Sequence, residues 1–323
     1  MIKRIFLILW MLVLFIFLFN KWIGDPTIYF VYAKNLLAGY GLCFNIGYPS
    51  ASFSSPLWLL IVAACQCNPI AVKIVSFLIF TVGIILINER KGLVIASIVV
   101  YLSFRYCFLC YETPLIILAT GLFLAKREWE ATLIFTLARP EAILLVLIVA
   151  IIHKVKWTAV IPAVNYYILI FIYCGIPASF VARAGGGWWV EMRYALILLP
   201  VLIPFIEEMI DAERWREYAF IAVFVMASSL KLVFNSYSFD VVTLRDVASY
   251  VKADDILLTP EIQIKYWLPD GAVVRSTDGL LKEEPKPITL FLRTNNDPPA
   301  IGLERIVSTQ RSDCDALYRM VDK

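Results

Sequence analysis

The chain has 323 residues, 61% of them hydrophobic and 17% charged, with a mean hydropathy of +0.78 and a net charge of +3. A soluble domain averages about 45–50% apolar and about 25% charged residues, so a soluble core cannot absorb this excess. The low net charge, without a basic patch interleaved with aromatics, excludes a nucleic-acid binder. One histidine and seven cysteines leave little material for a metal centre.

The composition predicts a polytopic α-helical membrane protein. Its first apolar run, Ile5 to Phe19, follows Lys3 and Arg4. No small-residue cleavage site follows, and Asn20-Lys21-Trp22 reads as an interfacial anchor, so the run is a retained span with its N-terminus cytoplasmic. At roughly 20 apolar residues per crossing, about nine spans are expected. They lie near 4–23, 55–68, 69–87, 92–108, 113–126, 131–152, 157–175, 194–210 and 218–235. That count leaves residues 236–323 outside and Lys154 and Lys156 inside. It also sets Glu89-Arg90-Lys91 outside and Glu112 inside, against the positive-inside rule. The short segment 55–68, or 131–152 with its Arg139-Pro140-Glu141 interruption, would reverse the intervening hairpins by failing to cross.

After the first span comes an external loop, 24–54. Asp25-Pro26 is an N-cap followed by proline at the first helical position. A carboxylate there is kept ionised by the helix dipole and can serve as a base at the water–lipid boundary. The helix it opens carries Tyr29, Phe30, Tyr32, Lys34, Leu36 and Leu37, an amphipathic pattern for a helix lying in the interface. A Gly-rich turn follows, and Ser55-Pro56-Leu57-Trp58 returns the chain to the bilayer. Cys65-Gln66-Cys67 and Cys107-x-x-Cys110 lack a second pair at zinc spacing and read as packed thiols.

Tyr111-Glu112-Thr113-Pro114 opens the next span as a helix-start signal. Arg139 and Glu141 either pair with each other around a proline kink or line a polar cavity. A second external loop, 175–193, contains Gly185-Gly186-Gly187-Trp188-Trp189 between Arg183 and Arg193-Tyr194. Guanidinium groups at this boundary suit a lipid phosphate. Trp58 and Trp188 read first as interfacial belt residues. From Ser236 the composition changes to that of a small α/β domain. Helical spacing over 241–251 is followed by β-rich runs at 255–259, 272–276, 287–292 and 302–308 and a last helix over 312–321. No P-loop, dinucleotide fingerprint, Ser-His-Asp set or zinc-protease motif is present, which argues against a nucleotide-driven transporter.

The ordered set Asp25, Tyr32-Ala33-Lys34-Asn35-Leu36, Gly39-Tyr40-Gly41-Leu42, Phe44-Asn45 and Ser54-Ser55-Pro56-Leu57-Trp58 resembles the first external loop of GT-C membrane glycosyltransferases. The closest subgroup is the polyprenyl-phosphate-sugar enzymes related to arabinofuranosyltransferases. Glu112-Thr113-Pro114-Leu115 and Ala138-Arg139-Pro140-Glu141 resemble that group's Glu-Thr-Pro-Leu and Thr-Arg-Pro-Glu-Gly. Gly175 to Gly187, Arg193-Tyr194 and Thr259-Pro260-Glu261 through Asp278-Gly279-Leu280 are similar to its later loop, its Arg-Tyr span and its soluble tail. The family often has two adjacent acids where this chain has Gly24-Asp25-Pro26, and Pro-Asn-Thr where it has Pro177-Ala178-Ser179.

The resemblance implies a GT-C-like transmembrane module, 1–235, and an extracytoplasmic α/β domain, 236–323. It implies inverting transfer of a sugar from a polyprenyl- or dolichyl-phosphate donor to a hydroxyl of a glycan, lipid or protein acceptor on the external face, among membrane lipids. Asp25 would be the general base. Arg139, Arg183, Arg193 and Lys34 would contact the donor phosphate. Glu112, Glu141, Tyr32, Tyr194, Trp58 and Trp188 would contact sugar or acceptor, the two glutamates either orienting sugar hydroxyls or holding those arginines. No metal ligand set is assigned, although the family pattern admits a divalent cation such as Mg2+ or Mn2+. The alternative is a secondary transporter or lipid-linked-sugar flippase with Arg139 and Glu141 lining its path; that class calls for internal repeats, which the sequence does not display.

Overall fold

The computed structural model describes residues 2–20, 26–50 and 53–139, isolated positions between 142 and 203, and 248–253, 256–258, most of 265–275, 290–294, 303–308 and 314–320. The chain forms two compact units, Met1–Lys21 with Ala51–Tyr237 and Trp22–Ser50 with Ser238–Lys323. The described part is mostly helical.

In the first unit α1 (Ile2–Leu18) is apolar all round. One face, Leu7, Met11, Leu14 and Leu18, is buried against Phe80, Ile84 and Ile87. The opposite stripe of Ile5, Leu9, Leu12, Ile16 and neighbours is exposed, with Ile16 at 64%. α3 (Pro56–Ala64) has a Ser55 cap and proline in its first turn. Its length is about 14 Å.

α4 (Pro69–Phe108) is a helical hairpin rather than one rod. Gly92 interrupts it with φ 84° and ψ 175°, a backbone region that essentially only glycine occupies. The two arms then run antiparallel. The Ser76 hydroxyl donates to the Cys107 carbonyl, and the Phe80 and Phe108 rings meet edge to face at 5.4 Å. Among the described residues α4 is the one helix long and apolar enough to cross a membrane, and α1 and α5 are shorter apolar helices. α5 (Thr113–Leu124) and α6 (Glu128–Ala138) form a second, shorter hairpin. α5 crosses the first arm of α4 at Gly83 and Gly121, where the backbones touch.

These contacts fix which helix ends lie together. Arg4 pairs with Glu89 at 3.1 Å, so the start of α1 and the Gly92 turn share one end of the unit. Lys73 Nζ donates to the Leu18 and Phe19 carbonyls, so the end of α1 shares the other end with the start of α4. Ser55 and Asn68, which flank α3, both lie at that second end, since Ser55 donates to the Leu137 carbonyl near the end of α6 and Asn68 caps α4. Segment 55–68 therefore does not run from one end of the unit to the other. Glu112 falls at the end where α1 finishes, and Glu89-Arg90-Lys91 at the end where it starts, the reverse of the expected hairpins. The reason is local: α3 spans nine residues and stops at the Cys65-Gln66-Cys67 turn.

The expected 131–152 span is cut as well. α6 stops at Ala138, and Arg139 is extended at φ −151° and ψ 125°, because the ring of Pro140 disfavours a helical residue before it. Ala142, Ile143 and Val146 are helical again. A 3-10 turn at Leu196–Leu198 and the neighbouring Leu199 and Ile203 add to the core. Segments 157–175, 194–210 and 218–235 lie largely or wholly outside the described residues, and the expected nine spans are not shown.

In the second unit α2 (Pro26–Leu37) precedes a small hairpin of β1 (Cys43–Asn45) and β2 (Tyr48–Pro49). The Tyr40 N–H bonds the Asn35 carbonyl at 2.9 Å and Gly39 has φ +83°, the glycine-terminated end that satisfies late helix carbonyls. α2 was expected to lie on a surface, but eight of its residues are buried, including Tyr29, Phe30 and Tyr32. Its aromatics pack within the unit: Phe30 meets Tyr266 at 5.6 Å and Tyr32 meets Phe44 at 5.9 Å.

The tail forms a five-stranded mixed sheet in the order β4-β3-β5-β7-β6. β3 (Ile256–Leu258) pairs in parallel with β4 (Val273–Arg275) and β5 (Leu290–Thr294), and β7 (Cys314–Met320) is antiparallel to both β5 and β6 (Leu303–Ser308). Four strands fall on the runs read from sequence. The expected helix over 312–321 is instead strand β7. Ala, Leu, Met and Arg favour helix locally, but hydrogen-bonded ladders on both sides override that weak preference. Of the expected helix 241–251, Ala248 is helical and 241–247 lie outside the described residues.

Candidate functional site

Three motifs spread along more than eighty residues of chain meet at one end of the first unit. The Ser55 hydroxyl accepts the Trp58 N–H at 3.2 Å and donates to the Leu137 carbonyl at 3.3 Å, tying the start of α3 to the end of α6. The Trp58 indole N–H donates to the Cys110 carbonyl at 2.8 Å, tying the same turn to the link between α4 and α5. Cys110 is fully buried at φ +67°, a conformation uncommon for a side chain with a Cβ; the Tyr111 N–H closes that turn on the Tyr106 carbonyl.

This frame sets Glu112 opposite Arg139. Glu112 Oε1 lies 2.5 Å from Arg139 Nη2, and both side chains are 2% exposed. Glu112 occupies the N-cap position of α5 but makes no side-chain capping bond, since its carboxylate turns to the guanidinium. Each charge also sits at the favourable end of a helix dipole, the acid at the start of α5 and the base at the end of α6. Two charges withdrawn from water this far are tolerated only as a pair.

Lys73, only 2% exposed, adds a third buried charge at this end. Its bonds to Leu18 and Phe19 complete the last turn of α1, and its Nζ lies 5.7 Å from the Phe19 ring centroid. Sequence reasoning passed over Lys73, although a lysine within Ala71-Val72-Lys73-Ile74-Val75 is itself the signal of a costly, partnered charge.

Trp58 has no exposed surface, so it is not an interfacial belt residue; its ring walls the junction between α3 and the α4–α5 link. Of the other residues singled out in the sequence, Tyr32 and Lys34 belong to the second unit. The Tyr32 hydroxyl shares a 2.8 Å hydrogen bond with Ser50, whose oxygen also accepts the Phe44 N–H. Lys34 is bound to Asp270 at 2.5 Å. Asn35 Nδ2 donates to the Cys43 carbonyl at 2.8 Å and holds the β1 end of the hairpin. Burial pushes the Cys43 thiol above its ordinary 9.0, so it stays protonated at neutral pH. Burial also lowers Lys265 below 10.5, with its Nζ donating to the Ala272 carbonyl.

Asp25, Glu141, Arg183, Trp188, Arg193 and Tyr194 lie outside the described residues. Among the described residues no group of three or more His, Cys, Asp or Glu could hold a metal ion. No family model matches the chain, and no curated protein or solved structure matches it either.

Proposed function

We propose that the chain is a GT-C-type membrane glycosyltransferase that moves a sugar from a polyprenyl- or dolichyl-phosphate donor to a hydroxyl acceptor, with inversion. The observation that carries this reading is the buried Glu112–Arg139 pair, framed by Ser55 and Trp58, at the end of the helical unit where α1 finishes. Asp25 follows Phe19 by six residues in the sequence. Structural helices rarely bury three charges at one end, and polar groups at membrane depth ordinarily mark a substrate path.

Membrane insertion is supported by the exposed apolar stripes. Ile5, Leu9, Leu12 and Ile16 on α1 and Ile70, Ile74, Leu78 and Val82 on α4 face outward. In water that surface would drive aggregation; against acyl chains it is at home. Orientation follows from the charges. Arg4, Arg90 and Lys91 share one end, and α5 runs alongside the first arm of α4 so that Lys126, Arg127 and Trp129 join them. The positive-inside rule makes this end cytoplasmic. The Glu112–Arg139 end is then external, about 18 Å from the Lys126–Arg127 turn along the twelve residues of α5, a distance shorter than a hydrocarbon layer of about 30 Å. An epitope inserted at Gly92 of the full chain should be reached by antibody only after permeabilisation, and one inserted at Gln66 in intact cells. The opposite pattern overturns this orientation.

The chemistry divides among the residues as follows. Asp25 takes the proton of the acceptor hydroxyl as that oxygen attacks the anomeric carbon, and the phosphate leaves from the opposite face. Its developing charge needs cations. Lys34 and Arg139 are already matched by Asp270 and Glu112, so Arg183 and Arg193 are the better phosphate contacts. The Glu112–Arg139 pair, neutral as a whole, suits the sugar.

The test is sugar transfer by purified, lipid-reconstituted protein and its Asp25→Asn variant. Asparagine caps a helix about as well as aspartate but cannot accept the proton, so stability should hold while transfer falls at least roughly 100-fold. Undiminished transfer removes Asp25 as the base. A wild-type protein that transfers sugar from no polyprenyl-phosphate donor overturns the reading and favours a flippase with Arg139 and Glu141 along its path.

A further inference from the structure

The first turn of α5 holds a second polar group that the fold leaves without a use. Thr113 is fully buried, and its hydroxyl has no hydrogen-bond partner among the described residues. Two other fully buried threonine hydroxyls are satisfied, Thr120 donating to the Ile116 carbonyl at 2.8 Å and Thr136 to the Thr132 carbonyl at 2.9 Å, whereas the Thr81 hydroxyl of α4 is likewise unmet. Thr120 and Thr136 each reach back four residues along their own helix. Thr113 cannot do so, because it is the first residue of α5 and the chain before it, at Cys110, turns through φ +67°. An unmet buried hydroxyl is rare and calls for an explanation.

We propose that Thr113, with Glu112 and Arg139, forms a hydrogen-bonding subsite for the hydroxyls of the donor sugar; this rests on the glycosyltransferase reading above. Thr113 directly follows Glu112 in the first turn of α5, and the Glu112 carboxylate is bound to Arg139, so the hydroxyl lies one residue along the chain from the ion pair. The first-turn N–H groups of α5 add a weak positive field. A carboxylate that accepts, a guanidinium that donates and a hydroxyl that does either match the donor–acceptor pattern of a polyol. A second anion fits worse, since Glu112 would repel it and compete for Arg139. A neutral sugar can share both groups, taking one carboxylate oxygen and one guanidinium N–H while the pair stays charge-balanced. Thr113 then discriminates among sugars, because a site built to bond a hydroxyl rejects an analogue that lacks it.

The experiment measures binding rather than turnover. Purified full-length protein in detergent is titrated with farnesyl phosphate and with farnesyl phosphate carrying glucose, mannose or arabinofuranose, for wild type, Thr113→Val and Thr113→Ser. Wild type and Thr113→Ser should bind at least one sugar-bearing probe more tightly than farnesyl phosphate. Thr113→Val should lose roughly three- to tenfold of that sugar increment. Its affinity for farnesyl phosphate and its Tm should be no lower than wild type. A Thr113→Val protein that keeps the full increment overturns the subsite and leaves the transferase reading standing. A marked drop in its Tm with Thr113→Ser intact shows the hydroxyl bonded within the protein and also overturns the subsite. If wild type binds no sugar-bearing probe better than farnesyl phosphate, the subsite and the reading beneath it both fall.

Discussion

Arg139→Met is expected to lower the stability of the helical unit by roughly 3–5 kcal/mol, since it leaves the Glu112 carboxylate buried without its cation. Glu112→Gln is expected to cost a similar amount by stranding the guanidinium. The informative variant is the double change to apolar residues, Glu112→Leu with Arg139→Met. Replacing both charges by neutral groups of similar volume removes the desolvation penalty along with the attraction, and such swaps are often neutral or stabilising. The double variant should therefore recover most of the Tm lost by either single change, while the sugar transfer proposed above should be lost in all three variants. Scanning fluorimetry of the three variants in detergent, with a parallel transfer assay, checks both halves. Single variants as stable as wild type would mean that the two side chains do not form a buried ion pair.

Gly83→Leu should abolish folding, and even Gly83→Ala should cost roughly 1–3 kcal/mol. Alanine has the better helix propensity by about 1 kcal/mol, so an open helical position would gain from the change. At Gly83 an added Cβ would stand 2.8 Å from the Ile117 carbonyl carbon and the Leu118 nitrogen, which are backbone atoms that no rotamer change can move. The crossing is closed from the other side as well, since a Cβ on Gly121 would stand 2.7 Å from the Gly83 carbonyl oxygen. Steric overlap outweighs propensity here. Among apolar helices in lipid, small residues that let backbones approach are a main source of association. Thermal melts of Gly83→Ala and Gly121→Ala, each set against wild type, give the sign. A gain in either variant would show that the helices stand further apart.

The helical character, the apolar runs and four tail strands were legible because each is written in local periodicity. What stayed hidden was which runs cross. Hydropathy scores 55–68 as apolar, but it cannot register that Ser55 is bonded to Leu137 and that Asn68 starts a helix at the same end. The conflict between the span count and the charges of Glu89-Arg90-Lys91 was the legible trace of this. Strand β7 was missed for a related reason: its identity comes from β5 and β6 on either side, and nothing in residues 314–320 alone outweighs their helical preference. At the candidate site, Arg139 and Glu141 stood out as charges within an apolar run, and Glu112 as the acid of a helix-start signal. The sequence offered Arg139 either a mutual pair with Glu141 or a place lining a polar cavity, and named Glu112 and Glu141 alike as acids to hold an arginine; the structure pairs Arg139 with Glu112, which the antiparallel packing of α5 and α6 brings near.

The reversal at Gly92 also constrains how this chain can vary. A turn made by one residue has no slack, so its length cannot drift as surface loops commonly do. Inserting or deleting a residue there would rotate the whole second arm by about 100° about its axis, at 3.6 residues per turn. The Cys107 carbonyl would swing away from Ser76, and the stalk carrying Cys110 and Glu112 would turn with it. The spacing between positions 76 and 107 is thus a fixed length, set at the Gly92 turn and read out at the opposite end of the unit as the aim of one carboxylate.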